Sequence, residues 1–314
     1  DFGATYWTEA YLEPGFGGVS ELGETEIYIY GALSAMFTTR IGNDVFSSGS
    51  TVFADFERAY AGILLPRLGK NDNGKLDISV GRNFFQLNDG FLFSKFAGSA
   101  NAGDRGSVYL NGRTAFEKTA LATFTSNKWN IRGFFVEPQE LFSDSQTNTN
   151  YTGATVGYND SKKFDLNLTV LQRTNGLGQY SLPNGESISK EGLWVINPKI
   201  WLSNLFDEGV FLKSEFAYET KSGMRAHAWY LGGGIQRDDI LFKPSLYYRF
   251  AFMQGDDPNT ATYERYDPLL SSGLGNWVQG INFRKVVGNG NIISHRIELK
   301  GSLSEKWQLA LDAF

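Results

Sequence analysis

KKFDLNLTVLQR, residues 162–173, changes character at every step. Phe164, Leu166, Leu168 and Val170 are apolar, whereas Asp165, Asn167, Thr169 and, further on, Arg173 are polar. Successive side chains of a strand point to opposite faces, so the segment forms a strand with one oily and one hydrated surface. The same separation recurs along the chain. In EIYIYGALSAMF (26–37), Ile27, Ile29, Leu33 and Phe37 share a face with Gly31 and Ala35. In VFLKSEFAYE (210–219), Val210, Leu212, Phe216 and Tyr218 oppose Lys213, Glu215 and Glu219; in ISHRIELKG (293–301), Ile293, Ile297 and Leu299 oppose Ser294, Arg296, Glu298 and Lys300.

Period-two segments of this kind predict about fifteen strands, near residues 3–13, 25–41, 50–65, 75–85, 107–125, 128–137, 151–159, 163–173, 191–202, 209–219, 225–237, 240–253, 275–286, 291–301 and 305–314. No helical stripe, Pro/Ser-rich linker or shift in composition divides the chain, so residues 1–314 read as a single all-β domain. The composition agrees: 25 Phe, 15 Tyr and 7 Trp favour pleated surfaces, and 36 Gly stand against only 8 Pro.

Composition also excludes several chemistries. There is no cysteine, so disulfides, thiolate metal sites and cysteine nucleophiles are absent. Only His227 and His295 are available, too few for a multi-histidine zinc centre. A net charge of −5 and no basic run argue against a nucleic-acid partner. No stretch approaches the roughly 18 apolar residues of a transmembrane helix, and mean hydropathy is −0.28. A transmembrane β-barrel escapes that test, because only alternate residues need be apolar.

Length and loop pattern favour the barrel. Many predicted strands run ten to twelve residues, about 35–40 Å at roughly 3.3 Å per residue, and a tilt of about 40° projects this onto about 25–30 Å of membrane. Short turns at 126–128, 159–162 and 203–209 alternate with long polar loops at 138–150, 174–190 and 255–274, as at the two rims of an outer-membrane barrel. The expected fold is therefore a transmembrane antiparallel β-barrel in the outer membrane of a Gram-negative bacterium, in contact with its lipid and lipopolysaccharide.

If the oily face meets lipid, the other face lines a lumen. Strand parity puts Arg113, Arg132, Arg173, Lys199, Lys213, Lys243, Arg249, Arg284, Arg296 and Lys300 inward, against Asp55, Glu57, Asp77, Glu117, Asp165, Glu215, Glu219 and Glu298. This mild basic excess inside a globally acidic chain would concentrate small anions. Pairing between neighbouring strands is the simpler role for any single charge. In LFKPSLYYRFAFMQGDD (241–257), parity sends Lys243, Ser245, Tyr247 and Arg249 inward, and Pro244 belongs at the start of the strand on the short-turn rim.

Five phrases together carry a resemblance: DISVGRNFFQLNDGFLF (77–93), GRTAFEKTALA (112–122), FKPSLYYRFAFMQGDDPN (242–259), YERYDPLLSSGLGNWVQG (263–280) and NIISHRIELKGSLSEKWQLALDAF (291–314). In this order they resemble the alginate-export family of outer-membrane β-barrels, over about two thirds of the chain. The resemblance implies a monomeric barrel of eighteen strands whose arginine-rich pore passes an anionic polysaccharide; about 16–18 strands are expected in the complete protein. It also implies pore-lining roles for Arg82, Arg113 and Arg249. The arginine density of that family's alginate pore exceeds that of this chain. Trp307, Leu309, Leu311 and Ala313 form the oily face of the last segment, leaving Phe314 on the other, so one or more further strands are expected to follow.

Two other classes share such a wall: a surface adhesion or scaffold barrel whose loops plug the lumen, and a barrel hydrolase. Hydrolysis by a serine and a histidine would have to use His227 or His295. Ser294 adjoins His295 but points to the opposite face, and no enzyme is expected. No cofactor is expected either, beyond weak Ca²⁺ binding in the outer loop around Asp256 and Asp257, which lacks the spacing and terminal Glu of an EF-hand.

Overall fold

The computed structural model describes residues 6–44, 48–69, 72–94, 106–107, 109–110, 112–140, 147–160, 163–182, 184–271, 277 and 288–314. They form β1 (Trp7–Leu12), β2 (Gly15–Glu21), β3 (Tyr28–Gly42), β4 (Thr51–Leu68), β5 (Gly74–Arg82), β6 (Lys118–Ser126), β7 (Trp129–Glu137), β8 (Asn150–Asp160) and β9 (Phe164–Asn175). The chain continues through β10 (Gln179–Ser181), β11 (Ser187–Ser189), β12 (Trp194–Leu205), β13 (Val210–Lys221), β14 (Met224–Gln236), β15 (Ser245–Met253), β16 (Ile292–Ser302) and β17 (Gln308–Ala313).

All but β10 and β11 belong to one antiparallel meander, ordered β1-β3-β4-β5-β6-β7-β8-β9-β12-β13-β14-β15-β16-β17. β2 also pairs with β3 and continues β1 in unbroken register, Leu12 facing Phe37 and Gly15 facing Ser34. Pro14, which has no N–H to donate, explains the interruption. Among the described residues β17 does not pair with β1 or β2.

The burial pattern is inside out. Large apolar side chains stand exposed along the wall, among them Ile29, Val52, Ile78, Leu168, Ile196, Leu246 and Ile297, while Glu57, Glu215, Glu219 and Arg249 are 0–2% exposed. Every parity assignment quoted for β9, β13 and β16 is found. An apolar exterior repeated on strand after strand far exceeds the patches of roughly a few hundred Å² that soluble monomers show, and it fits a hydrocarbon environment.

The sheet curls around an inner segment. Residues 83–94, which follow β5, place Phe85 4.8 Å from Phe134 on β7, Phe93 4.9 Å from Tyr151 on β8 and Phe91 5.4 Å from Tyr230 on β14. One dozen residues can touch β7, β8 and β14 together only if the wall bends round them. We call residues 83–94 the strap.

Four expectations are corrected. The strand expected over 107–125 begins only at Lys118. Residues 112–117 run inside the wall instead, where Ala115 bridges Phe84 and Phe116 packs on Phe85 and Phe93, so the apolar alternation is satisfied by the strap and not by lipid. Gly15–Glu21 forms an unexpected strand, and the loop expected at 174–190 contains the β10–β11 hairpin. Pro244 does sit immediately before β15, where its carbonyl accepts the Arg237 N–H, but Phe242 and Lys243 lie in the turn with positive φ and not on the strand. Of the strand expected at 275–286, only Trp277 falls within the described residues.

Candidate functional site: the barrel interior

Two polar hollows open near the short-turn rim. The first, about 290 Å³, gathers five of the ten candidate residues: Lys213, Lys243, Arg249, Arg296 and Lys300. The meander brings β13 to β16 side by side, and period two sends these side chains to one surface. Lys243 reaches the hollow from the turn at the rim, not from the wall as expected, because β15 starts at Ser245.

Three carboxylates, Asp89, Asp238 and Glu298, line the same hollow. Glu298 binds Arg296 (2.5 Å) and Lys300 (2.7 Å), and Arg296 also binds Asp312 (2.7 Å). Arg249 is buried with its guanidinium 3.9 Å from the ring centre of Trp277. The Lys213 ammonium lies 4.2 Å from the ring centre of Trp201 and makes no salt bridge among the described residues. Cation–π contact leaves its charge unneutralised, so Lys213, together with the exposed Lys243 at the rim, presents positive charge to a solute in this hollow.

The second hollow, about 610 Å³, lies between β6, β7, β8, β9 and β12. Lys199 pairs with Asp165 (3.0 Å) and Lys128 with Asp160 (2.6 Å), whereas Arg132 donates Nε–H to Thr123 Oγ1 (3.2 Å).

The other candidates sit toward the long-loop rim and are neutralised or sequestered. Arg82 is held between Asp55 (3.2 Å) and Glu117. Arg113 is not on the wall but on the inner segment, 3.6 Å from Glu57 and 4.8 Å from the Phe53 ring centre, because the chain before Lys118 turned inward. Glu57 also accepts the Thr114 and Ala115 N–H groups (2.6 and 2.8 Å), anchoring that segment. Arg173 is buried and donates to Thr149 Oγ1 (2.7 Å). Arg284 lies outside the described residues.

Sequence reasoning missed what fills the middle. Phe91 packs between Tyr230, Tyr266 (6.1 Å) and Trp277 (4.7 Å), so the strap and residues 254–271 meet in an aromatic cluster within the lumen. Phe93 and Leu270 bridge in parallel. Gly153 leaves room for the wall's contribution, since a Cβ there would meet the Phe134 ring at 2.5 Å. The apolar run NFFQLNDGFLF, with no clear period, was the available signal.

Residues 254–271 are pinned from the loop side. Asp267 Oδ2 accepts from Tyr180 Oη and Lys190 Nζ, both at 2.8 Å, and its N–H donates to Glu219 Oε2 (2.8 Å). Burial alone would raise the Asp267 carboxyl, but the Lys190 ammonium and the donated hydrogen bonds outweigh it and hold it below the usual carboxylate range. In the same loop, Asp257 Oδ1 accepts the Asn259 N–H (2.9 Å) and Asp256 Oδ1 the Glu264 N–H (2.7 Å). Among the described residues no three acidic, histidine or cysteine side chains are grouped to hold a metal ion.

Both histidines lie on the outer face. His295 Nδ1 is 2.8 Å from Tyr248 Oη, and His227 stacks between Phe216 and Phe252. Ser294, buried on the inward side, faces away from His295.

No family model and no curated protein matches the chain. The alginate-export resemblance therefore rests on the quoted phrases alone. Solved structures similar to it include two mutants of the Rhodopseudomonas blastica porin, with TM-scores of 0.48 and 0.49 at 8% and 9% identity, each match covering 97% of this chain and 84% of the porin. Salmonella typhi OmpF in complex with daunomycin matches with a TM-score of 0.37 at 10% identity, over 79% of this chain and 84% of that one.

Proposed function

We propose that the chain is an outer-membrane channel that passes small solutes and prefers anions. The observation that carries this is the rim hollow, where five basic side chains meet three carboxylates inside a wall that is apolar on its other face. Low-dielectric walls focus the field of such a cluster and raise the local anion concentration. Diffusion past Lys213 and the rim would replace part of a solute's hydration while leaving it free to move on.

The strap and residues 254–271 narrow the lumen, which suits compact solutes or single sugar acids better than a thick polymer; a polyanionic saccharide such as alginate is the extension that the family resemblance suggests. The protein would act as a monomer surrounded by lipid. Reconstitution in a planar bilayer with a salt gradient tests the reading: anion-selective conductance is expected, and cation selectivity overturns it.

A second reading has its own observation. The buried aromatic cluster of Phe91, Tyr230, Tyr266 and Trp277 is what a plugged scaffold barrel requires. A folded, reconstituted protein with no conductance would favour it.

A further inference from the structure

The tip of the strap closes on two carboxylates that share one hydroxyl. Tyr230 Oη on β14 lies 2.9 Å from Asp89 Oδ2 and 3.5 Å from Glu215 Oε2 on β13. Asn88 Nδ2 donates to Glu215 Oε1 (3.1 Å) and lies 3.4 Å from Asn197 Oδ1 on β12. Glu215, Asn197 and Tyr230 are at most 1% exposed. The strap leaves the wall at β5, so these contacts fasten it to strands several places further round.

A phenol carries one hydrogen. With both carboxylates ionised, one of them loses that donor, and two like charges flank a single hydroxyl where little water reaches. One added proton closes the count: a Glu215 carboxylic O–H donates to Tyr230 Oη while the Tyr230 O–H donates to Asp89.

We propose that Glu215, Tyr230 and Asp89 form a proton-binding site that latches the strap across the lumen, holding it when one proton is shared and releasing it when that proton leaves. Asp89 also lines the rim hollow, so the proton exchanges with water there.

Among the described residues no cation makes a salt bridge with Asp89 or Glu215. Lys199 faces Glu215 from β12 but is bound to Asp165. From β15 and β16, Arg249 stacks on Trp277, while Arg296 and Lys300 are engaged by Glu298 and Asp312. Lys213, on β13, lines the hollow with Asp89 but lies over Trp201 and is not bonded to either carboxylate. Lys243 and Asp238 at the rim of the hollow, Tyr247 on β15, Tyr266 on the 254–271 segment and Glu219 on β13 complete the titratable groups around the latch; of these only Lys243 is cationic, and it makes no salt bridge with Asp89 or Glu215 among the described residues. The proton remains the simplest way to satisfy both carboxylates.

The consequence for conductance rests on the channel reading; the latch itself does not. Two measurements separate them. In the first, infrared spectra and hydrogen exchange of the purified protein are followed against pH. A protonated carboxylic band near neutrality that disappears in Glu215→Gln is expected, with strap protection falling as pH rises by up to about tenfold per pH unit, the limit for one proton. Glu215→Gln should keep the strap protected at all pH values, because the amide supplies a permanent donor to Tyr230; Tyr230→Phe should lose protection throughout. Wild-type protection independent of pH, with no such band, overturns the latch.

In the second, conductance in a planar bilayer should rise with pH in the wild type and stay flat in Glu215→Gln. Should the band and the protection titrate while no current flows at any pH, the latch stands and the channel reading falls. A conductance that titrates identically in wild type and Glu215→Gln overturns the latch and leaves the channel.

Discussion

Lys213→Glu tests the rim field directly, because it reverses a cation that lies over a ring and makes no salt bridge among the described residues. A sphere of the hollow's 290 Å³ has a radius of about 4 Å, so a centred ion lies about 5 Å from the ammonium. In water's dielectric a unit charge at that distance contributes about 0.8 kcal/mol, and the substitution changes the charge by two, about 1.7 kcal/mol. Screening at about 0.1 M salt reduces this to about 1 kcal/mol. The local anion concentration then falls about fivefold and that of cations rises about fivefold, so the anion-to-cation permeability ratio should drop about 30-fold. The reversal potential of reconstituted protein in a salt gradient measures it, with the mutant's fold checked by circular dichroism. The shift should shrink at about 1 M salt, where the Debye length is about 3 Å. A correctly folded mutant whose ratio stays within about twofold of the wild type refutes the reasoning.

Other consequences follow from the interior contacts and the outer face. Glu57→Gln removes the charge that faces buried Arg113 and weakens the bonds to the Thr114 and Ala115 N–H groups; a loss of about 3–5 kcal/mol in denaturant unfolding is expected, and a loss below about 1 kcal/mol contradicts the anchoring role. Asp267 has a depressed folded carboxyl, so its contribution is present above the unfolded value of about 3.9 and is lost as pH falls through the lower folded value. Protease cleavage within 254–271 should accordingly be slow at neutral pH and rise only in strong acid, whereas Asp267→Asn should be cleaved at neutral pH; equal resistance in both proteins counts against the pin. Leu168→Arg puts a charge on the outer face and should cost about 2–4 kcal/mol of folding in lipid vesicles near the midplane. An unchanged folding free energy there means that this face does not meet hydrocarbon.

Much of the wall was legible because its code is local. In FDLNLTV each residue's face follows from its neighbour, and no knowledge of the partner strand is required. The same rule placed Lys213, Arg249, Arg296 and Lys300 inward, and those four do meet at one hollow. It failed for Lys243, where the turn preceding Ser245 takes two residues of positive φ that a parity count cannot anticipate. It failed for Arg113 because Phe116 has two apolar destinations, lipid or strap, and alternation is equally satisfied by either.

Charge pairing was less legible still. Arg82 finds Asp55 and Glu117 from two different strand neighbourhoods, and Glu57 reaches Arg113 through a bulge where Ser34 faces Arg58 and Ala35 faces Phe56. Such meetings depend on register and on how far the sheet has curled, both long-range properties.

By itself the sequence determined an all-β chain whose strands are oily on one side and charged on the other, since a two-residue period is written in nearest neighbours. The tertiary structure decided what occupies the interior. NFFQLNDGFLF carries no period to commit it, so its place was settled by the aromatic side chains it could bury against Phe134, Tyr151 and Tyr230 once the wall had curled round it. That choice brought Asp89 to Glu215 and left Lys213 facing the open hollow, because burial and electrostatic pairing act between residues far apart in the chain and near only in the fold.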